Sequence, residues 1–322
     1  MNKTVMILLI VGVCLLLLGG AVFTIAMAKT GWDFSALSNA VYEEKTFETA
    51  AADVSKIAVK ANTEDFSFVT SEDDKIHVLY YNKFDKKGNP LTTFEPTVAD
   101  GTLSLTANVV KKWHMDMGFS KSKTFVISVP AGKKVEVSAD LDTGDVKFCE
   151  SGKEMAFTAL DLKSDTGDVC FLGTIGVDAG VEIRVHTGDL KISGALTVAE
   201  TVHFKASTGE CRISAAVSAK AVKLETNTGD IKITAAVTTE TFESKTNTGD
   251  VKADAALTAN AVTVRSDTGD VKLLLAGHKE DYTCLLSTDT GRVSPKSYTG
   301  GAKTVNIDVD TGDIQLRVSQ ES

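Results

Sequence analysis

Acidic side chains recur at a near-constant interval through the C-terminal part of the chain. Asp145, Asp168, Asp189, Glu210, Asp230, Asp250 and Asp270 follow one another 20 to 23 residues apart. If the chain repeats structurally at that interval, these carboxylates stack one strand spacing apart. A column of oxygen ligands of that kind could hold Ca²⁺ between successive coils. Turn chemistry is the competing reading, and two features favour it. The Gly-Gly-x-Gly-x-Asp pattern of calcium-binding β-rolls is absent. A basic side chain also stands two residues after most of these acids: Lys147, Lys191, Arg212, Lys232, Lys252 and Lys272 compete for the same carboxylates.

The remaining chemistry-bearing residues do not assemble into a known pattern. His77, His114, His186, His203 and His278 are scattered, with no His-x-x-x-His grouping, so a zinc site is not expected. Cys14, Cys149, Cys170, Cys211 and Cys284 contain no Cys-x-x-Cys. Cys211 and Cys284 fall on inward phases and read as core thiols. Cys149 and Cys170 lie about one repeat apart but out of phase, which leaves a disulfide open. No cofactor is implied. The net charge of −9 argues against nucleic acid, and against an anionic lipid surface as the main partner.

These residues are positioned by a recurring Thr-Gly-Asp. It stands at Thr143, Thr166, Thr187, Thr228, Thr248, Thr268 and Thr311, with variants Thr208-Gly209-Glu210 and Thr290-Gly291-Arg292. The nine copies are spaced by 23, 21, 21, 20, 20, 20, 22 and 21 residues. A fixed period near 20 marks a stack of structural repeats. Around one copy, Val222, Leu224, Thr226 and Thr228 alternate with Lys223, Glu225 and Asn227; after the turn, Ile231 and Ile233 flank Lys232. Period two on both sides of a glycine means two short strands with one apolar face each. The second half of the repeat carries a further inward Leu196, Val217, Val237 or Leu257. The glycines, Gly144, Gly167, Gly188, Gly209, Gly229, Gly249, Gly269, Gly291 and Gly312, are expected at positive φ. The short polar residues beside them are expected to bond the turn's own backbone.

One such coil cannot bury its apolar face, but nine can by stacking strands about 4.8 Å apart. The expected fold is therefore all-β: a β-solenoid over 131–318, capped by a strand-rich segment over 47–130. A run of antiparallel hairpins is the rival arrangement. Asp100-Gly101 and Gly88-Asn89 mark turns in the cap. Asn62-Thr63-Glu64-Asp65 reads as a worn repeat turn that has lost its glycine. An atypical terminal unit is expected where a solenoid ends.

Before the cap, a tail over 1–4 precedes an uncharged run, Val5 to Ala28, long enough to span a bilayer. It reads as a transmembrane helix that leaves the C-terminal domain outside. Ala26-Met27-Ala28 also fits a cleavage site, so secretion after signal cleavage is the alternative. Lys3 on one side and Lys29 on the other code orientation weakly. Residues 29–46 form a juxtamembrane spacer holding Trp32.

Taken together, the hydrophobic segment, Gly31-Trp32-Asp33-Phe34, Lys112-Trp113 and the serial Thr-Gly-Asp units resemble the bacterial "putative adhesin" family of β-strand-repeat envelope proteins, a domain of unknown function. The resemblance implies a membrane-anchored or exported repeat protein, in some bacteria encoded near envelope-stress regulators. It implies no catalytic residues. The expected function is non-covalent binding or scaffolding in the cell envelope, adhesin-like or as an envelope-stress accessory. Contact with an anionic wall polymer or envelope protein would run through Lys147, Lys191, Arg212, Lys232, Lys252 and Lys272. Lys163, Arg184, Lys205, Lys245 and Arg265 form a second such series. The alternatives are a polysaccharide-active β-helix enzyme and a Ca²⁺-binding structural surface protein. The enzyme reading is disfavoured because such enzymes carry catalytic groups on loops inserted between coils, and coils of 20 to 23 residues leave no room for them.

Overall fold

A computed structural model describes residues 40–110 and 123–320, with Thr24 and Ala28. Apart from those two residues, the segment over 5–28, together with most of the spacer and Lys112-Trp113, lies outside the described residues. Among the described residues, no helix is long and apolar enough to cross a membrane. Within 40–110 and 123–320, helix is limited to two 3₁₀ turns, Ala51–Asp53 and Lys279–Asp281.

The chain divides into two compact units. The smaller includes Asn82–Thr93. Within it the expected Gly88-Asn89 turn forms, with Asp85 N–H donating to the Asn89 carbonyl at 2.9 Å and the Asp85 carboxylate accepting Asn89 N–H at 2.8 Å.

The larger unit is a parallel β-solenoid, which excludes the hairpin arrangement. Each coil contributes a long strand, a corner at Thr-Gly-Asp, a short strand and a third, two- to four-residue strand. Thr201–Thr208, Cys211–Ile213 and Val217–Ser218 make one such coil. Each pairs in parallel with its equivalent in the next coil: Val202 with Val222, Cys211 with Ile231, and Val217 with Val237. Inward positions on all three sides are buried, from Val146 and Phe148 through Ile314 and Leu316, together with Leu196, Val217, Val237 and Leu257. Thr226 is buried as alternation requires, but Thr228, the last residue of its strand before the corner, is exposed. Near the N-terminal end, Phe68, Phe148 and Phe171 stack in a ladder with centroids 4.8 and 5.2 Å apart. Burying each ring contributes about 1.5–3 kcal/mol.

Asn62–Asp65 forms a genuine corner. The Asp145 N–H donates to the Asp65 carboxylate at 2.9 Å, so Lys56–Ala61 and Asp65–Ser71 build a coil directly beneath the first Thr-Gly-Asp.

The coils are not stacked in chain order at either end, which the spacing did not indicate. Thr102–Val109 and Thr124–Pro130 pair on the outer side of Lys56–Ala61 and Asp65–Ser71, although they come later in sequence. At the other end, the final coil, Lys303–Thr311 and Ile314–Gln320, pairs with Ala261–Thr268 and Val271–His278. The preceding one, Tyr282–Thr290 and Val293–Ser294, lies outside it. The outer edge of Tyr282–Thr290 is partly covered by the loop that follows. Cys284 and Tyr298 exchange backbone hydrogen bonds of 2.8 and 3.0 Å, and the Ser297 hydroxyl accepts the Leu286 N–H at 2.9 Å. This blunts an edge that would otherwise recruit other strands. At the N-terminal end, Lys75–Asp85 runs antiparallel to Thr124–Pro130 and does the same.

The corner glycines sit at φ between 144° and 156°. A Cβ on Gly229 would also stand 1.9 Å from the Gly209 carbonyl oxygen. Gly132 has φ 80° but open space around it. Gly132→Val should therefore incur only the conformational cost, about 1–3 kcal/mol. Gly229→Val should cost more, because a carbonyl of the next coil must move as well. Thermal melts of residues 30–322 carrying each change will show the difference; equal shifts would mean that the inter-coil contact is not limiting.

Candidate functional site

The acidic column is the most ordered polar feature of the solenoid. Each corner aspartate uses one carboxylate oxygen to accept the backbone N–H of its counterpart in the next coil. Asp168 N–H donates to Asp145, Asp189 N–H to Asp168, Glu210 N–H to Asp189, Asp250 N–H to Asp230 and Asp270 N–H to Asp250, all at 2.8–2.9 Å. The series continues in stack order, with Asp313 N–H on Asp270 and Arg292 N–H on Asp313, both 2.8 Å. The expected local turn bonding is thus an inter-coil bond. It explains both variants of the motif. Arg292 occupies the outermost coil, where no further N–H waits for a carboxylate. Glu210 is one methylene too long, and its carboxylate turns to Arg212 Nη2 at 2.6 Å instead.

The second carboxylate oxygen is engaged by the basic column. Lys191 Nζ lies 2.6 Å from Asp168 and 3.2 Å from Asp189; Lys232 is 2.9 Å from Asp230, and Lys252 is 2.6 Å from Asp250. Lys147, Lys191, Arg212, Lys232, Lys252 and Lys272 are brought into one register, broken once by Cys170. Burial alone would push Asp168, Asp230 and Asp250 up. The partner lysines and the next coil's N–H outweigh it, so all three are held below the usual carboxylate value. With both oxygens occupied, Asp168, Asp189, Asp230 and Asp250 present no open cage, and Asp145 and Asp270 each have one oxygen taken by an N–H of the adjoining coil. Among the described residues, no group of three or more His, Cys, Asp or Glu could hold a metal ion.

The described cysteines, Cys149, Cys170, Cys211 and Cys284, are all free and buried, so no Cys149–Cys170 disulfide forms. Cys170 takes an outward register position yet is buried between the Lys147 and Lys191 positions, whose long aliphatic stems can cover it. Cys14 lies outside the described residues.

The second basic series stands on the long strands. Lys163, Arg184, Lys205, Lys245 and Arg265 share one register and all are exposed, with Glu225 interrupting between Lys205 and Lys245. Apart from Arg184, their ion pairs are longer: 3.5 Å from Lys163 to Asp140, and 3.7 Å from Lys205 to Glu225. Sequence reasoning missed the group beside them. His203 Nδ1 lies 2.8 Å from Glu182 and its Nε2 3.5 Å from Glu225, while Arg184 and Lys223 hold the same carboxylates at 3.1 and 2.8 Å. These residues are remote in sequence but sit at the repeat period, 21 residues from Glu182 to His203. Reading the outward positions as columns would have found them.

A fold of stacked parallel coils with a corner seam of this kind defines a β-solenoid repeat protein. The chain belongs to the Toastrack DUF4097 family, whose pattern matches residues 54–317. This is the family that the Thr-Gly-Asp units resemble in the sequence. No curated protein matches the chain. Among solved structures it is similar to a "putative adhesin" from Bacteroides fragilis, 14% identical, covering 85% of this chain and 97% of that one with a TM-score of 0.41. It is also similar to a "putative adhesin" from Parabacteroides merdae, 13% identical, covering 86% and 97% with a TM-score of 0.44. Neither likeness bears on function.

Two outcomes test the seam. Glu210→Asp restores the missing acceptor and should stabilise the chain by about 0.5–1.5 kcal/mol, whereas Arg292→Asp at the outermost coil should bring no such gain. Chemical denaturation of the two variants distinguishes them. The acid dependence follows from the lowered values: a depressed folded-state pKa adds stability above the unfolded value and loses it as pH falls through the folded one. The contribution of Asp168, Asp230 and Asp250 should therefore be complete above about pH 5 and fade below pH 4. Melts between pH 3 and 7 should show a smaller acid loss in Asp250→Asn than in the parent chain.

Proposed function

We propose that the chain is a non-catalytic surface protein of the cell envelope, held by its N-terminal segment with the solenoid outside the membrane. It acts by non-covalent contact along the long face of the coils. The observation that carries this reading is the exposed column Lys163, Arg184, Lys205, Lys245 and Arg265, repeated at one coil spacing except where Glu225 interrupts it. Its partner is an anionic wall polymer or the acidic face of an envelope protein, held by weak sites that gain from multivalency. The corner column, Lys147 to Lys272, is the weaker candidate, because several of its lysines are already held within 3 Å of a carboxylate. The uniform length of the Thr-Gly-Asp coils supports a role without catalysis, since it leaves no loop inserted between them to carry reacting groups.

The test is retention of the tagged solenoid on cell-wall fractions and membrane extract at low and high salt. Lys163→Gln with Arg184→Gln and Lys205→Gln should lower retention several-fold, and salt should do the same to the parent. Lys232→Gln with Lys252→Gln and Lys272→Gln should change it little. Retention insensitive to the first set, or turnover of a glycan, would reject the reading. Membrane fractionation with mass spectrometry of the amino terminus tests the anchor; a soluble chain beginning at Lys29 would mean that it is cleaved.

A further inference from the structure

The outermost C-terminal coil is incomplete. Its short strand, Val293–Ser294, pairs with Ile314 and Gln315 and then stops at Pro295, which has no N–H to extend a ladder. The strand beneath it, Ile314–Gln320, continues. On its inner side it stays paired, Leu275 with Val318 and His278 with Gln320. On its outer side, among the described residues, Leu316–Gln320 has no strand against it. About five residues of parallel edge, roughly 16 Å, are thus left open.

A cleft of 630 Å³ lies along this edge. It is lined by Ser294 and Pro295, by Gln315 to Val318, and by Lys279, Glu280 and Tyr298. A second hollow of 450 Å³ is lined by Leu274, Arg317, Val318 and Ser319. Lys279 Nζ sits 4.9 Å from the centre of the Tyr298 ring. Among the described residues, neither Lys279 nor Arg317 has a carboxylate within ion-pair distance, unlike many lysines of the corner column. The cleft therefore combines a row of unmet backbone groups, apolar Leu316 and Val318, and two cations, neither within ion-pair distance of a carboxylate, against the single acid Glu280.

The geometry points to a binding site for an extended acidic peptide segment, which adds as the missing strand of the outermost coil. Its backbone completes the ladder on Leu316–Gln320, and its carboxylates meet Lys279 and Arg317. Strand addition draws affinity from main-chain bonds and specificity from alternate side chains. The loop that covers Cys284 and Leu286 shows why the site is confined here: it protects the neighbouring long-strand edge and leaves this one open. The inference goes beyond the proposed envelope role and does not depend on it.

The experiment uses the full chain in detergent micelles and three capped heptapeptides. One alternates valine and glutamate, the second alternates valine and lysine, and the third is the acidic peptide with alternate amides N-methylated along the pairing edge. Fluorescence anisotropy should give at least tenfold tighter binding of the acidic peptide than of the other two. Lys279→Glu with Arg317→Glu, both surface changes, should invert the preference between the first two peptides. Lys163→Glu with Arg184→Glu on the long face should leave it unchanged, which separates this site from the proposed wall-binding column. Equal binding of all three peptides, or none, overturns the inference. A dimer of the chain alone that dissociates in Lys279→Glu with Arg317→Glu would place a second copy at the edge, and would overturn it too.

Discussion

The spacing between coils governs this molecule. Parallel strands stack at one fixed distance, and at the corner the backbone itself must fit within it. A Cβ on a corner glycine would lie about 2 Å from the carbonyl oxygen of the glycine below, or 1.9 Å at Gly188, Gly209 and Gly229. Only glycine allows that approach, whatever its φ. The same closeness brings each aspartate within reach of the next coil's N–H, and Lys191 and Lys232 within reach of two carboxylates each. Glycine, aspartate and lysine in the repeat are therefore consequences of a single distance. The regularity of the motif comes from contacts between coils more than from the needs of an isolated turn.

A stack has two ends, and each exposes strand edges. This chain handles both by placing coils out of order. At the N-terminal end a later segment is laid outside an earlier one. At the C-terminal end the last coil is slipped beneath the one before it. The outermost coil at each end is then a segment held by covalent connections on both sides, so neither is a fraying chain terminus. The loop over Cys284 and the antiparallel strand against Thr124–Pro130 cover most of what remains. The edge at Leu316–Gln320 is the part left uncovered.

The same logic sorts the charged residues. Lysines at the corner are drawn into the seam, because aspartate stands two residues before them and again one coil below. Basic residues on the long strands meet acids at only some coils, as Arg184 meets Glu182, and they stand further out. Charge that counts towards structure and charge that is available to a partner are thus separated by position, although both series look alike as lists of lysine and arginine.

The amino-acid sequence by itself determined the repeat, its period, its inward residues and its corners, including the worn corner at Asn62–Asp65. These are local properties: period-two alternation and a glycine at each turn are visible within one coil. Tertiary structure alone decided which coil lies on which. Stack order depends on pairing between segments remote in the chain, and nothing within Tyr282–Thr290 or Lys303–Thr311 marks which of them is outermost except Arg292, whose meaning appears only once the inter-coil bond is known. It also decided what each aspartate does. A bond from a carboxylate to the N–H of a residue some 20 positions away leaves no trace in local propensity, so the acids read as turn residues until the coils are placed one upon another.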